Sequence, residues 1–152
     1  MAEGFEARET QDGRVVVVVH PGCTASQGEI LDLLEQAGID RSNVTFVSPE
    51  EALEWSGLEA ATIIIPLNAE SCDAPELENA GRHCGQTGGN VVVIIEGGFD
   101  YPGLHPIAEK YGTQCSWSAD DLKRCISTEG ATEPSDSEGR PVSRSGGKQV
   151  NC

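Results

Sequence analysis

Three runs of the chain, "VVVVV" (15–19), "TIII" (62–65) and "VVVII" (91–95), are β-branched at every position and carry no polar alternation. A strand exposed on one face alternates apolar and polar residues. An unbroken run therefore predicts strands covered on both faces, the usual condition of a parallel sheet with helices on either side. The intervening segments have helical periodicity. Ile30, Leu33, Leu34 and Ala37 fall at i, i+3, i+4 and i+7 and stop at Gly38, and Leu77, Ala80, Gly81 and Cys84 repeat that spacing and stop at Gly85. Shorter patterns predict strands over 44–47 and 114–117 and helices over 50–55, 104–111 and 119–126.

The helix starts share a pattern. Ser26 with Glu29, Ser48 with Glu51 and Ser118 with Asp121 each set an oxygen-bearing N-cap three residues before an acid, the capping-box arrangement. Asp73 with Glu76 reads as a fourth. The predicted order is five strands, each followed by a helix. With right-handed crossovers, the expected fold is a single α/β domain: a five-stranded parallel sheet of flavodoxin-like order 2-1-3-4-5. Residues 1–12 and 128–152 are poor in apolar residues and rich in Gly, Ser, Pro and Glu, so both ends are expected to be disordered around a domain spanning 13–127.

Charge and length narrow the function classes. The chain has 152 residues and a formal net charge of −15. That suits one domain and speaks against nucleic acid or an anionic membrane as main partner, because both require concentrated positive charge. No apolar run approaches the roughly 20 residues needed to span a bilayer, and the N-terminus has no secretory pattern, so a cytoplasmic location is expected. The six cysteines (23, 72, 84, 115, 125 and 152) stand singly, which predicts reduced thiols rather than a zinc site or disulfide scaffold. No cofactor or metal is expected. His83 and His105 have no paired ligands nearby in sequence, and neither the P-loop nor the Gly-x-Gly-x-x-Gly pattern occurs.

In an open parallel sheet, ligands bind beyond the carboxyl ends of the strands where the strand order reverses, here between the first and third strands. The loops "HPGCTAS" (20–26), "PLNAESCDAP" (66–75) and "EGGFDYPG" (96–103) meet there. They supply the candidate substrate-binding residues His20, Cys23, Asn68, Ser71, Asp100 and Tyr101, with Glu76 as candidate catalytic carboxylate at the start of the third helix. A carboxylate in that position can stabilise an oxocarbenium ion at an anomeric carbon, and it can equally serve as a helix cap. A phosphotransfer reading is disfavoured because Leu67 and Asn68 occupy the end of the third strand, where a response regulator needs an acid.

The apolar third strand, polar turn and helix opening on "ESCDAPEL" resemble the Toll/interleukin-1 receptor (TIR) domain, whose pattern there is Ser-x-Trp-Cys-x-x-Glu-Leu. Glu76-Leu77 and the nearby Ser71 follow it, while Cys72 and Asp73 stand where Trp and Cys would be. The resemblance covers the whole folded region and implies that Glu76 breaks the nicotinamide–ribose bond of NAD, as glycohydrolase or ADP-ribosyl cyclase. NAD would be a substrate rather than a cofactor. The family further implies a stand-alone bacterial protein of antiviral defence that self-associates and works with a separate effector. A non-catalytic binding or adaptor module is the alternative. A nucleoside 2-deoxyribosyltransferase, with Glu as nucleophile, ranks lower. So does a thiol redox protein, suggested by Cys23-Thr24-Ala25-Ser26 but opposed by five successive βα units.

Overall fold

The computed structural model describes residues 14–23, 25–54, 62–87, 89–97, 99, 101, 103–127, 134–136 and 139–141. The strands are β1 (Val15–Val18), β2 (Val44–Val47), β3 (Thr62–Leu67), β4 (Asn90–Ile95) and β5 (Gly112–Cys115). The helices that alternate with them are α1 (Gln27–Gln36), α2 (Pro49–Ala52), α3 (Pro75–Gln86), α4 (Pro106–Tyr111) and α5 (Ala119–Ser127). All four strand pairings are parallel, and the order is β2-β1-β3-β4-β5, the expected flavodoxin-like arrangement.

The β-branched runs fill both faces, as their lack of alternation requires. Val16, Val18, Ile63, Ile65, Val91 and Val93 pack with Leu77, Ala80, Cys84 and Ile107, which puts α2, α3 and α4 on one face. Val15, Val17, Ile64, Val92 and Ile94 pack with Ile30, Leu33, Leu34, Leu122 and Cys125, which puts α1 and α5 on the other. Because successive side chains of a strand point to opposite faces, this partition also decides which way each residue just past a strand end is aimed.

Two capping boxes form as read: Ser26 with Glu29 and Ser48 with Glu51 bond reciprocally through side chain and backbone, each worth about 1 kcal/mol. At α5 only half forms. Ser118 Oγ accepts from the Asp121 amide, while the Asp121 carboxylate turns to Ser116 and Arg124. The fourth fails: α3 has Ala74 as N-cap with no side-chain capping bond, and Pro75 fills the first helical position, where a missing N–H costs nothing. Gly38, with φ of 95°, ends the α1 segment as its sequence position suggests.

The shorter elements shift from their expected bounds. The helix expected over 50–55 ends at Ala52, and the one expected from 104 begins at Pro106, because His105 acts as N-cap and accepts from the Ile107 amide through Nδ1. The last strand lies two residues earlier than the expected 114–117, beginning at Gly112, whose lack of side chain hid it from a propensity reading. A Cβ at Gly112 would overlap the carbonyl oxygen of Val91 on β4. Of the cysteines, Cys23, Cys84, Cys115 and Cys125 are free as expected. Cys72 departs from the expectation and is disulfide-bonded; its isolated position in sequence carries no sign of a pairing.

Residues 134–136 fall in the segment expected to be disordered, yet Pro134, Ser135 and Asp136 are buried. The Ser135 amide donates to the Gln114 carbonyl, and the Gln114 side-chain amide donates to the carbonyls of Ser135 and Gly103, each at 2.8 Å. Fully buried Gln114 also accepts from the His105 amide, so one side chain ties β5, the start of α4 and this segment together. Residues 1–12 lie outside the described residues. No helix among the described residues is long and apolar enough to cross a membrane.

Gly112→Ala is expected to destabilise the fold by about 3 kcal/mol, the upper end for overpacking, because strand backbone cannot move aside as a side-chain tip can. Urea denaturation followed by circular dichroism measures it, and an unchanged midpoint would contradict the close β4–β5 approach.

Candidate functional site

The carboxyl ends of β1, β3 and β4 lie side by side in the sheet, so the residues that follow them converge. Strand parity then divides those residues between the two faces. His20 follows Val16 and Val18 in alternation and is aimed toward the α3 face; Asn68 and Glu96 follow Ile64 and Ile94 and are aimed toward the α1 face.

On the α3 side, His20 meets Glu76. The Gly22 amide donates to His20 Nδ1 at 2.9 Å, which in the neutral ring leaves the proton on Nε2. Nε2 stands 3.7 Å from Glu76 Oε2. The His20 side chain is mostly covered and that of Glu76 is about half exposed, at 16% and 46%. Glu76 occupies the second position of α3, in the first turn, where the helix dipole favours negative charge. Because Pro75 removes one amide and no capping box forms, the Glu76 carboxylate faces the crevice and His20 instead of folding back onto its own helix.

Across the crest, three polar side chains interlock. Cys23 Sγ donates to Glu96 Oε2 at 3.1 Å, and Asn68 Nδ2 reaches the Gly22 carbonyl at 2.8 Å and both Glu96 oxygens at 3.4 Å. Asn68 Oδ1 accepts from the amides of Glu70 and Ser71 and from Ser71 Oγ, while Ser71 Oγ accepts from the Asn68 amide. Asn68 and Ser71 are thus buried clamps that fix the loop after β3 and join it to the loop after β1. Burial, reinforced by the bond to Glu96 and its negative charge, pushes the Cys23 thiol up to about 12. A thiol held protonated in this way is the reverse of an activated nucleophile.

The structure therefore brings His20, Cys23, Asn68, Ser71 and Glu76 to one edge of the sheet, in two groups on either side of its crest. Tyr101 is elsewhere: it is 2% exposed, in tilted ring contacts with Phe99 and His105 in the α3-side core, with its hydroxyl pushed up to about 12 by burial. Asp100 lies outside the described residues. Glu96 is the residue that the sequence reading missed. The available signal was an acid directly ending the doubly buried run "VVVII", where a charge is tolerated only if the strand has reached the ligand edge. Among the described residues, no three His, Cys, Asp or Glu side chains converge in a way that could hold a metal ion.

No protein-family model matches the chain, and no curated protein matches it. Among solved structures, it is similar to a Listeria monocytogenes protein provisionally assigned as a sugar-phosphate isomerase, with 18% identity and a TM-score of 0.38 over 60% of this chain. The match covers 49% of that protein, so this chain spans about half its length.

Cys23 is expected to resist alkylation at pH 8. A pKa of about 12 in place of 9.0 lowers the thiolate fraction about a thousandfold. Site-resolved mass spectrometry of iodoacetamide labelling should show reactivity rising only as pH climbs from 9 toward 12, and should show faster labelling in Glu96→Gln, which removes the negative charge. Rapid labelling of the folded wild-type protein at pH 8 would contradict the Cys23–Glu96 contact.

Proposed function

We propose that this chain is a TIR-like enzyme that cleaves NAD between nicotinamide and ribose, with Glu76 as the carboxylate at the reacting carbon. The observation that carries the reading is the posture of Glu76. It opens a helix at the switch point of the sheet, it takes no part in capping, and its carboxylate stands 3.7 Å from His20 Nε2. A chain that spends acids on capping boxes at two other helix starts leaves this one directed at the crevice.

The chemistry asks for little more than a placed negative charge. As the C–N bond breaks, nicotinamide leaves with the bonding electron pair and positive charge develops at the anomeric carbon. Glu76 stabilises that charge, and water attacks to give ADP-ribose, or an internal nucleophile of the same molecule attacks to give a cyclic product. His20 is a positioning residue: its Nδ1 is anchored by the Gly22 amide, so its Nε2 faces one Glu76 oxygen and restricts the rotamers of that carboxylate. Self-association, a separate effector and a role in bacterial antiviral defence belong to the same reading.

A second reading, a non-catalytic binding or adaptor module, draws on Cys72. It stands where the TIR pattern has Trp, and it is buried and disulfide-bonded instead of offering an aromatic face.

Liquid chromatography with mass detection of NAD incubated at high protein concentration, with and without cell extract, separates the two. Wild type is expected to release nicotinamide, and Glu76→Gln is expected to lose about a hundredfold or more of the rate, the scale of a removed charge-stabilising group. His20→Ala should lower kcat more than it raises KM. Absence of nicotinamide release by wild type under both conditions would leave the binding-module reading.

A further inference from the structure

On the α1 side of the crest, beyond Cys23 and Asn68, lies an open cleft of about 210 Å³ lined by Ala25, Glu29, Glu96, Gly97 and Trp117. We propose that this cleft binds a planar, positively charged nitrogen heterocycle of single-ring size, stacked on Trp117 and neutralised by Glu96 and Glu29. The inference goes beyond the NAD reading and does not rest on it, since Glu76 and His20 face the opposite side of the sheet.

Three properties of the lining lead to that ligand class. The first is charge. Among the described residues, two carboxylates line the cleft, and Lys, Arg and His are absent from its lining. An anionic ligand is disfavoured there, whereas a cation gains from both groups. The second is fixation. Glu96 is 3% exposed, and its carboxylate is held by Cys23 Sγ and Asn68 Nδ2; Glu29 is held by its Oε1, which accepts from the Ser26 amide at 2.8 Å. Both acids are tied by hydrogen bonds, Glu96 in the interior and Glu29 at the exposed start of α1, so the site is set before a ligand arrives. The third is the wall. Trp117 is half-buried beside Gly97, and a Cβ placed on Gly97 would stand 3.7 Å from its indole Cδ1 and 3.8 Å from Cγ. Trp is the aromatic that best attracts a cation to its face, and the missing side chain at Gly97 leaves space against the ring. The volume lies below the roughly 300 Å³ at which drug-sized pockets begin, which limits the occupant to one ring and its substituents.

The test uses 1-methylnicotinamide, a permanent cation, against uncharged nicotinamide of nearly the same shape. Each is titrated into the full chain while the Trp117 indole N–H is followed by two-dimensional NMR, with Trp55→Phe resolving the second tryptophan. The proposal expects a saturable shift with 1-methylnicotinamide and affinity at least about tenfold weaker for nicotinamide, the scale of one cation–aromatic contact with its counter-charge. Gly97→Val should abolish the shift. Its added Cβ meets only ordinary contacts at the indole, so the variant should keep its unfolding midpoint and its backbone spectrum. Glu96→Gln should weaken the cation and leave nicotinamide unchanged. Equal affinity for the two probes, no saturable shift with the cation, or a shift that survives Gly97→Val would each overturn the proposal.

Discussion

The structure depends on a sheet whose inner strands carry a polar side chain only at their first residue, Thr62 of β3 and Asn90 of β4, and none on either face beyond it. β1, β3 and β4 are paired on both edges and covered by helices above and below, so their backbone groups are satisfied only within the sheet and their side chains only by packing. A hydroxyl or carboxylate set into these strands would be stranded at a cost of about 2 kcal/mol or more. Polar chemistry is therefore expelled to the strand ends. Within one or two residues of the carboxyl ends stand His20, Asn68 and Glu96, each following an unbroken apolar run.

That same constraint made the fold readable. A run such as "VVVII" is specified by burial on both sides, and no turn chemistry or distant contact need be known to recognise it. The elements that shifted are those with weaker burial signals. β5 begins on a glycine selected by the closeness of β4 rather than by strand propensity, and the start of α4 is set by a histidine cap followed by proline. The segment Pro134–Asp136 was illegible for a different reason. Its attachment comes from backbone groups and from the amide of Gln114, and neither leaves a mark in the hydrophobic pattern.

The candidate site was legible in its membership but not in its division. Loop position alone gathers His20, Cys23, Asn68, Ser71 and Glu76, whereas strand parity decides that His20 joins Glu76 while Asn68 and Cys23 join Glu96. Glu96 escaped notice because the loop after β4 offers more conspicuous residues, of which Tyr101 proves to be core. Local rules misled most at α3: Asp73 and Glu76 have capping-box spacing, but Pro75 shifts the start of the helix and leaves the acid outside the cap. Sequence spacing describes an opportunity for a hydrogen bond, and a proline one residue away can cancel it.

The contact between Ser135 and Gln114 has a consequence for assembly. β5 is the last strand of the sheet, and an outer strand offers unpaired amides and carbonyls on which the strand of another molecule could zip. The Ser135 amide takes the Gln114 carbonyl, and buried Pro134 and Asp136 stand beside it. This rim of the molecule is thereby capped by its own chain, and side-by-side growth through continuous sheet is denied there while the segment stays seated. At the β5 rim, copies that gather would meet through helices and loops, and there the order of the sheet ends where the chain itself closes it, whereas β2 forms the opposite rim.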